Sequence, residues 1–190
     1  MGKLSLATLK RHLKQRSSEE LISEIADLFT RIDAVRDYYG LKLVGASEEL
    51  LATYKARIKN EFFPARGYGN ARLAIARKAV TDYQKIAPPP ASLADLMLFY
   101  VEMGVQYTTT YGDLNQAFYS SMESMFARAV KLIAANHLED QFEDRCEQIV
   151  DDSSCVGWGF HDELSATYDR YFGQDLHSSA PSTRGEPLAQ

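Results

Sequence analysis

The sequence predicts an all-α fold: a single antiparallel helical domain over residues 1–172, with about seven or eight helices around a central helical hairpin at residues 92–137. Three observations predict it. Apolar residues recur at steps of three and four through most of the chain, the pattern of amphipathic helices. Capping residues, glycines and prolines punctuate that pattern at helix-length intervals. The stretch from Ser92 to His137 is the most apolar and aromatic part of the chain and contains one break, Tyr111-Gly112-Asp113.

Residues 4–15 read as a short amphipathic helix, with Leu6, Leu9 and Leu13 on its apolar edge and Lys10, Arg11, Lys14 and Arg16 on its basic one. Ser17 and Glu20 form an S-x-x-E capping box for a second helix. That helix is expected to run to about Tyr39, with Leu21, Ile25, Leu28, Ile32 and Val35 as its core stripe, and to end at Gly40. A third helix spans Ser47 to Glu61, with Ser47 as cap and Glu48 and Glu49 at its positive end. It stops before Pro64. The loop Arg66-Gly67-Tyr68-Gly69-Asn70 then leads into a fourth helix, capped by Asn70 and followed by Arg72, Arg77 and Lys78. Pro88, Pro89 and Pro90 end that helix and form a stiff connector, so residues 87–91 are the expected place for any subdomain boundary.

Ser92 is the expected N-cap of the next helix, with Asp95 at N3. From Leu93 to Val105 most positions are apolar, which suits a buried helix. A membrane span needs about 20 largely uncharged residues, and Asp95 and Glu102 interrupt this run, so no membrane insertion is expected. Asp95, Glu102 and Gln106 share one narrow stripe. Gly112 ends the helix and Asp113 is expected to cap its partner, in which Leu114, Phe118, Met122, Met125, Ala129 and Leu132 make the inner face. Residues 138–152 form an acidic helix with Leu138, Phe142, Cys146, Ile149 and Val150 inward. In the segment around Gly157 and Gly159, Trp158 and Phe160 need apolar seats. His161 or Asp162 starts a last helix that ends near Phe172, and residues 173–190 form a polar tail too poor in apolar residues to order itself.

Charge is unevenly placed. Residues 1–90 carry 16 Lys and Arg against 10 Asp and Glu, a net of +6, and residues 91–190 carry 5 against 16, a net of −11. The two halves either neutralise each other or present solvated faces, and a basic N-terminal face toward an anion is the sharper reading. Cys146 and Cys155 lack the neighbouring ligands of a zinc site. The N-terminus has no apolar core of signal-peptide length, and Gly2 with Ser5 is only a loose myristoylation pattern. Free thiols in a reducing cytoplasm are the expectation.

Three function classes follow. An enzyme or small-ligand site would use Glu102 with Asp113, His161 and Asp162, and Glu163 beside them, because carboxylates in apolar surroundings and a histidine near acids are typical acid–base groups. No metalloprotease, serine-hydrolase or cysteine–histidine motif accompanies them, so no catalytic residue, metal or cofactor is assigned. The loop residues Arg66, Asn70 and Arg72 could hold an anion at a helix N-terminus, without the spacing of a phosphate-binding motif. Nucleic acid could bind through Lys10, Arg11, Lys14 and Arg16, with Lys55 and Lys59 in support. A non-enzymatic module with an unknown protein partner is the reading preferred here, with Tyr100, Tyr107, Tyr111, Tyr119, Tyr168 and Tyr171 as rings suited to a groove or interface.

Two resemblances bear on this. A short basic helix followed by a second resembles the SAP-type DNA-binding fold over the first quarter of the chain, although the glycine and lysine of that module are missing. The phrases VExGxxYTxxYGD and GWGFHDEL, with ARKAV and FYSSMESMF, resemble a family of small bacterial helical proteins of unknown function across most of residues 1–172. That resemblance implies a single helical fold and a bacterial origin, and no activity.

Overall fold

The computed structural model describes residues 4–45, 47–157 and 159–173. Among them the chain is all-helical, with nine α-helices, one π-helical turn and no strand. None of these helices is long and apolar enough to cross a membrane. Trp158 and the tail from residue 174 onward, both read from the sequence, lie outside the described residues. Contacts divide the chain into two compact units, residues 1–46 and 47–190.

The first unit contains α1 (Leu6–Leu13), α2 (Ser18–Arg31), α3 (Asp33–Tyr39) and a π-helical turn at Gly40–Val44. Ser5 caps α1 by accepting from the Thr8 N–H at 3.2 Å. Both halves of the capping box at α2 form: the Glu20 N–H donates to Ser17 Oγ at 3.2 Å, and the Ser17 N–H donates to Glu20 Oε2 at 2.8 Å. The helix expected from Ser17 to Tyr39 is broken at Ile32, whose extended backbone (φ −123°, ψ 108°) ends α2 and starts α3. Arg36 secures the break by donating to the Thr30 carbonyl at 3.2 Å and to Asp33 at 3.1 Å, so an orphaned C-terminal carbonyl gains a partner. This break adds a helix to the expected count. Gly40 does not end the helix. It is itself helical, and the chain winds on to Gly45, where a left-handed φ of 69° stops it. The stripe expected as the core of this helix, Leu21, Ile25, Leu28, Ile32 and Val35, is not buried, and neither is any residue of α1, α2, α3 or the π turn.

The second unit contains α4 (Ser47–Phe62), α5 (Leu73–Lys85), α6 (Pro90–Tyr111), α7 (Gln116–Ala135), α8 (Glu139–Asp152) and α9 (Phe160–Phe172). Here α6 packs against α4, α5, α7 and α8, while α9 packs against α7 and α8. Residues 87–91, which lead from α5 into the first turn of α6, lie inside this unit, and those two helices pack together. The inner face read for α7 is buried at Phe118, Met122, Met125 and Ala129, and Gly104 of α6 meets Met122 so closely that a Cβ there would lie 2.4 Å from its sulfur. Each such large apolar side chain contributes about 1.5–3 kcal/mol on burial.

Several helix starts differ from the expectation. Pro90 occupies the first position of α6, where its fixed φ favours the helix and its missing N–H costs nothing. The helix therefore begins before Ser92, whose hydroxyl instead meets Ser47 Oγ at 3.1 Å. Ser47 is the first residue of α4 and not its cap. The cap of α7 is Asn115, which accepts from the Phe118 N–H at 3.1 Å, because Asp113 is drawn to the Tyr119 hydroxyl. Likewise α5 starts at Leu73 without a side-chain cap, and Asn70 stays in the loop.

Candidate functional site

Glu102 projects from α6 toward α8 and pairs with Arg145, at 2.5 Å from Nε to Oε1 and 3.0 Å from Nη2 to Oε2. The same guanidinium donates to Asp95 Oδ1 at 2.6 Å, and Lys55 of α4 reaches Asp95 at 2.7 Å. Two cations and two carboxylates thus neutralise each other in a half-buried chain across three helices. Burial acts to raise the Asp95 pKa, but Lys55 and Arg145 outweigh it and hold the group below its ordinary value. Burial likewise opposes the charge on Arg145, and Glu102 and Asp95 reverse that and raise its pKa. The signal for Arg145 was present in the sequence: it is the one base in the acidic run of α8.

Beside this network a groove of about 470 Å³ runs between α6 and α8, lined among others by Gln106, Thr109, Gln148 and Asp152. Three of its polar side chains bond within their own helices. Thr109 donates to the Val105 carbonyl at 2.9 Å, Thr110 to the Gln106 carbonyl at 2.7 Å, and Gln148 to Asp152 at 2.8 Å.

Asp113 and the start of α9 come together, apart from that network. Asp113 Oδ1 accepts from the Tyr119 hydroxyl at 2.8 Å, and the Tyr119 ring lies 5.2 Å from Phe160. The other carboxylate oxygen closes on Gly157, where an added Cβ would stand 3.1 Å away. The segment YGD thereby meets the segment that begins at Gly157. His161 Nδ1 is 3.0 Å from the Val150 carbonyl and 3.1 Å from Ser153 Oγ, which ties the end of α8 to α9. Because a carbonyl only accepts, this contact places the hydrogen on Nδ1. Asp162 is exposed in the first turn of α9, a favourable place for an acid. Among the described residues no group of three or more His, Cys, Asp and Glu could hold a metal ion.

The loop between α4 and α5 is built differently. Arg72 clamps the buried carboxylate of Glu61 with two bonds, at 2.8 and 3.0 Å, so its guanidinium is already engaged by an anion of the same chain. The Ala71 N–H donates to the Glu61 carbonyl at 2.9 Å, and the Tyr107 hydroxyl donates to the Gly69 carbonyl at 3.0 Å. Gly69 presses on the end of α4 so closely that a Cβ would fall 1.8 Å from the Phe62 carbonyl oxygen. These ties hold the loop against α4 and α6 and present its tip outward. Tyr68 is 83% exposed yet ordered edge-on against Tyr111, itself 47% exposed, with centroids 6.1 Å apart. Tyr111 stacks on Phe63 at 6.1 Å and leans on Tyr107 at 4.8 Å. Exposed Arg66 stands two residues from Tyr68 and has no ion pair among the described residues. The sequence points to Tyr107 and Tyr111 as interface rings and places Arg66 and Tyr68 in the loop, but gives Tyr68 no interface role and passes over Phe63, although the doubled phenylalanine and the glycine-flanked tyrosine are visible in it.

In the first unit Lys10 and Arg11 are exposed on α1. Arg16 is spoken for by His12, at 3.3 Å, and by Glu20, at 3.1 Å.

Residues 4–172 match a family described as a family of unknown function (DUF6155). No curated protein and no solved structure matches the chain.

Proposed function

Because the chain belongs to the DUF6155 family, whose function is unknown, we propose a function from its surface: a non-enzymatic protein-interaction module that binds a protein partner at the aromatic cluster of Phe63, Tyr68, Tyr107 and Tyr111 with Arg66. The observation that carries this reading is Tyr68, a large ring held in place while 83% exposed. Tyr and Arg dominate the energetic centres of protein interfaces, where pre-ordered rings lose little entropy on binding. The reading treats the α6–α7 hairpin as the rigid support of this cluster, and the packing of α6 against α4, α5, α7 and α8 supports it. The family match runs across both units, which supports treating residues 1–172 as one functional entity. Against catalysis weigh the engaged states of Glu102, Asp113 and His161, each tied to a partner that packs helices together. The alternative is nucleic-acid binding through Lys10, Arg11, Lys14 and Arg16; in its favour, the first three have no acidic partner among the described residues.

A photo-crosslinking phenylalanine analogue at position 68, compared with one at exposed Gln141, tests this in cells. The expected result is a discrete protein adduct from position 68 only, lost when Arg66→Ala and Tyr111→Ala are added. A nucleic-acid adduct would replace the proposal by its alternative, and no adduct at position 68 would overturn it.

A further inference from the structure

The first unit has a property that the aromatic cluster does not explain. Eleven of the fourteen exposed large apolar side chains among the described residues lie between Leu4 and Val44. Leu6 is 66% exposed, Ile22 68% and Leu43 73%. α1 has 8 residues, and helices shorter than about 12 residues are marginal in water without tertiary packing. Helices α2 and α3 frame an apolar groove of about 410 Å³, with Ile22, Ile25, Phe29, Tyr39 and Leu43 along it. α1 does not pack along α2 of its own chain.

Charge says what fits this groove. Next to its leucines α1 carries Lys10 and Arg11, with Lys14 just beyond, and no acid. α2 carries Glu19, Glu20, Glu24 and Asp27 against one base, Arg31. Among the described residues Glu20 is paired with Arg16 at 3.1 Å and Asp27 with Arg31 at 2.8 Å. Among the described residues Glu19 and Glu24 on one side, and Lys10, Arg11 and Lys14 on the other, have no ion-pair partner. At helical spacing Lys10 and Lys14 line one side of the leucine edge of α1, and Glu19 and Glu24 border the apolar face of α2 on either side. α1 is about 12 Å long and α2 about 21 Å, so one fits along the other.

We propose that the first unit is a self-association surface: α1 of one chain seats in the α2–α3 groove of a second copy, and the second copy returns the contact about a two-fold axis. Such an exchange is isologous, so each copy offers both the knob and the groove. Eleven open apolar side chains per copy are ample for the ~800 Å² per partner that a stable interface buries. The inference does not rest on the aromatic cluster, which lies in the other unit.

Light scattering of the full chain tests it. The expected mass is twice the 21.4 kDa of one chain. K10E/K14E alone and E19K/E24K alone each place like charges across the contact, and each should raise the dimer dissociation constant at least tenfold in low salt. Mixed, the two variants restore opposite charges at both halves of the exchange and should form a mixed dimer about as tight as the parent. A monomer at every concentration, meaning that the face is covered by the same chain or by another partner, overturns the proposal. So does a mixed pair no tighter than either variant alone. Both variants change solvent-facing groups only, so circular dichroism should remain helical and a loss of mass cannot be ascribed to unfolding.

Discussion

Arg145 shows how one side chain decides the state of its neighbours. It supplies hydrogen bonds to both Asp95 and Glu102, and removing it would leave two half-buried carboxylates facing each other with Lys55 as the one remaining cation. Breaking a buried pair on one side typically costs 3–5 kcal/mol. With these side chains 22–29% exposed, about 2–3 kcal/mol is expected for Arg145→Met, measured by urea unfolding at pH 7. The pH dependence has a definite sign. The folded pKa of Asp95 is depressed, so its contribution is fully present above the unfolded value of about 3.9 and is lost as pH falls through the folded pKa. The penalty of Arg145→Met should therefore shrink below about pH 4. A penalty independent of pH would show that Arg145 acts through packing alone. Cys146 lies beside this network, with its thiol pushed up to about 12 by burial, which suits an inert core residue.

Helix starts are where element-scale reading succeeded and failed for identifiable reasons. Ser5 and Ser17 were legible because a cap and its N–H partner lie three residues apart, and nothing distant competes for them. Asp113 and Ser92 misled because each had a better partner elsewhere: the Tyr119 hydroxyl for one, Ser47 for the other. Asn115 is the working cap of α7, so Asn115→Ala should cost about 1 kcal/mol in chemical denaturation. Asp113→Ala should instead change the environment of Tyr119, visible as a tyrosine absorbance difference, because the bond it removes is to that ring. A cap effect from Asp113 larger than that from Asn115 would reverse this assignment. The long helix expected over residues 17–39 failed at Ile32 for a related reason: its periodic pattern continues through the break, and the Arg36 contacts that close the ends are made across it.

At the scale of the molecule the two units differ in kind. Among the described residues every buried apolar side chain lies at Tyr54 or later, and none lies in the first unit. A chain beginning at Ser47 should therefore keep its helicity and a single cooperative melt, with a midpoint no longer dependent on protein concentration. Loss of the cooperative transition on removing residues 1–46 would contradict a self-sufficient second unit. The all-helical class, most helix interiors and the inward faces of α7 and α8 are legible in the sequence, since amphipathic periodicity and capping depend on neighbours within about four residues along the chain. What could not be read was which distant groups meet. Arg145 and Asp95 are 50 residues apart, Tyr107 and Gly69 are 38 apart, and the apolar stripe of α2 looks the same whether a core covers it or leaves it open. Those pairings depend on how helices pack in space, where a satisfied charge or a closed ring contact outweighs the local preference of a single residue.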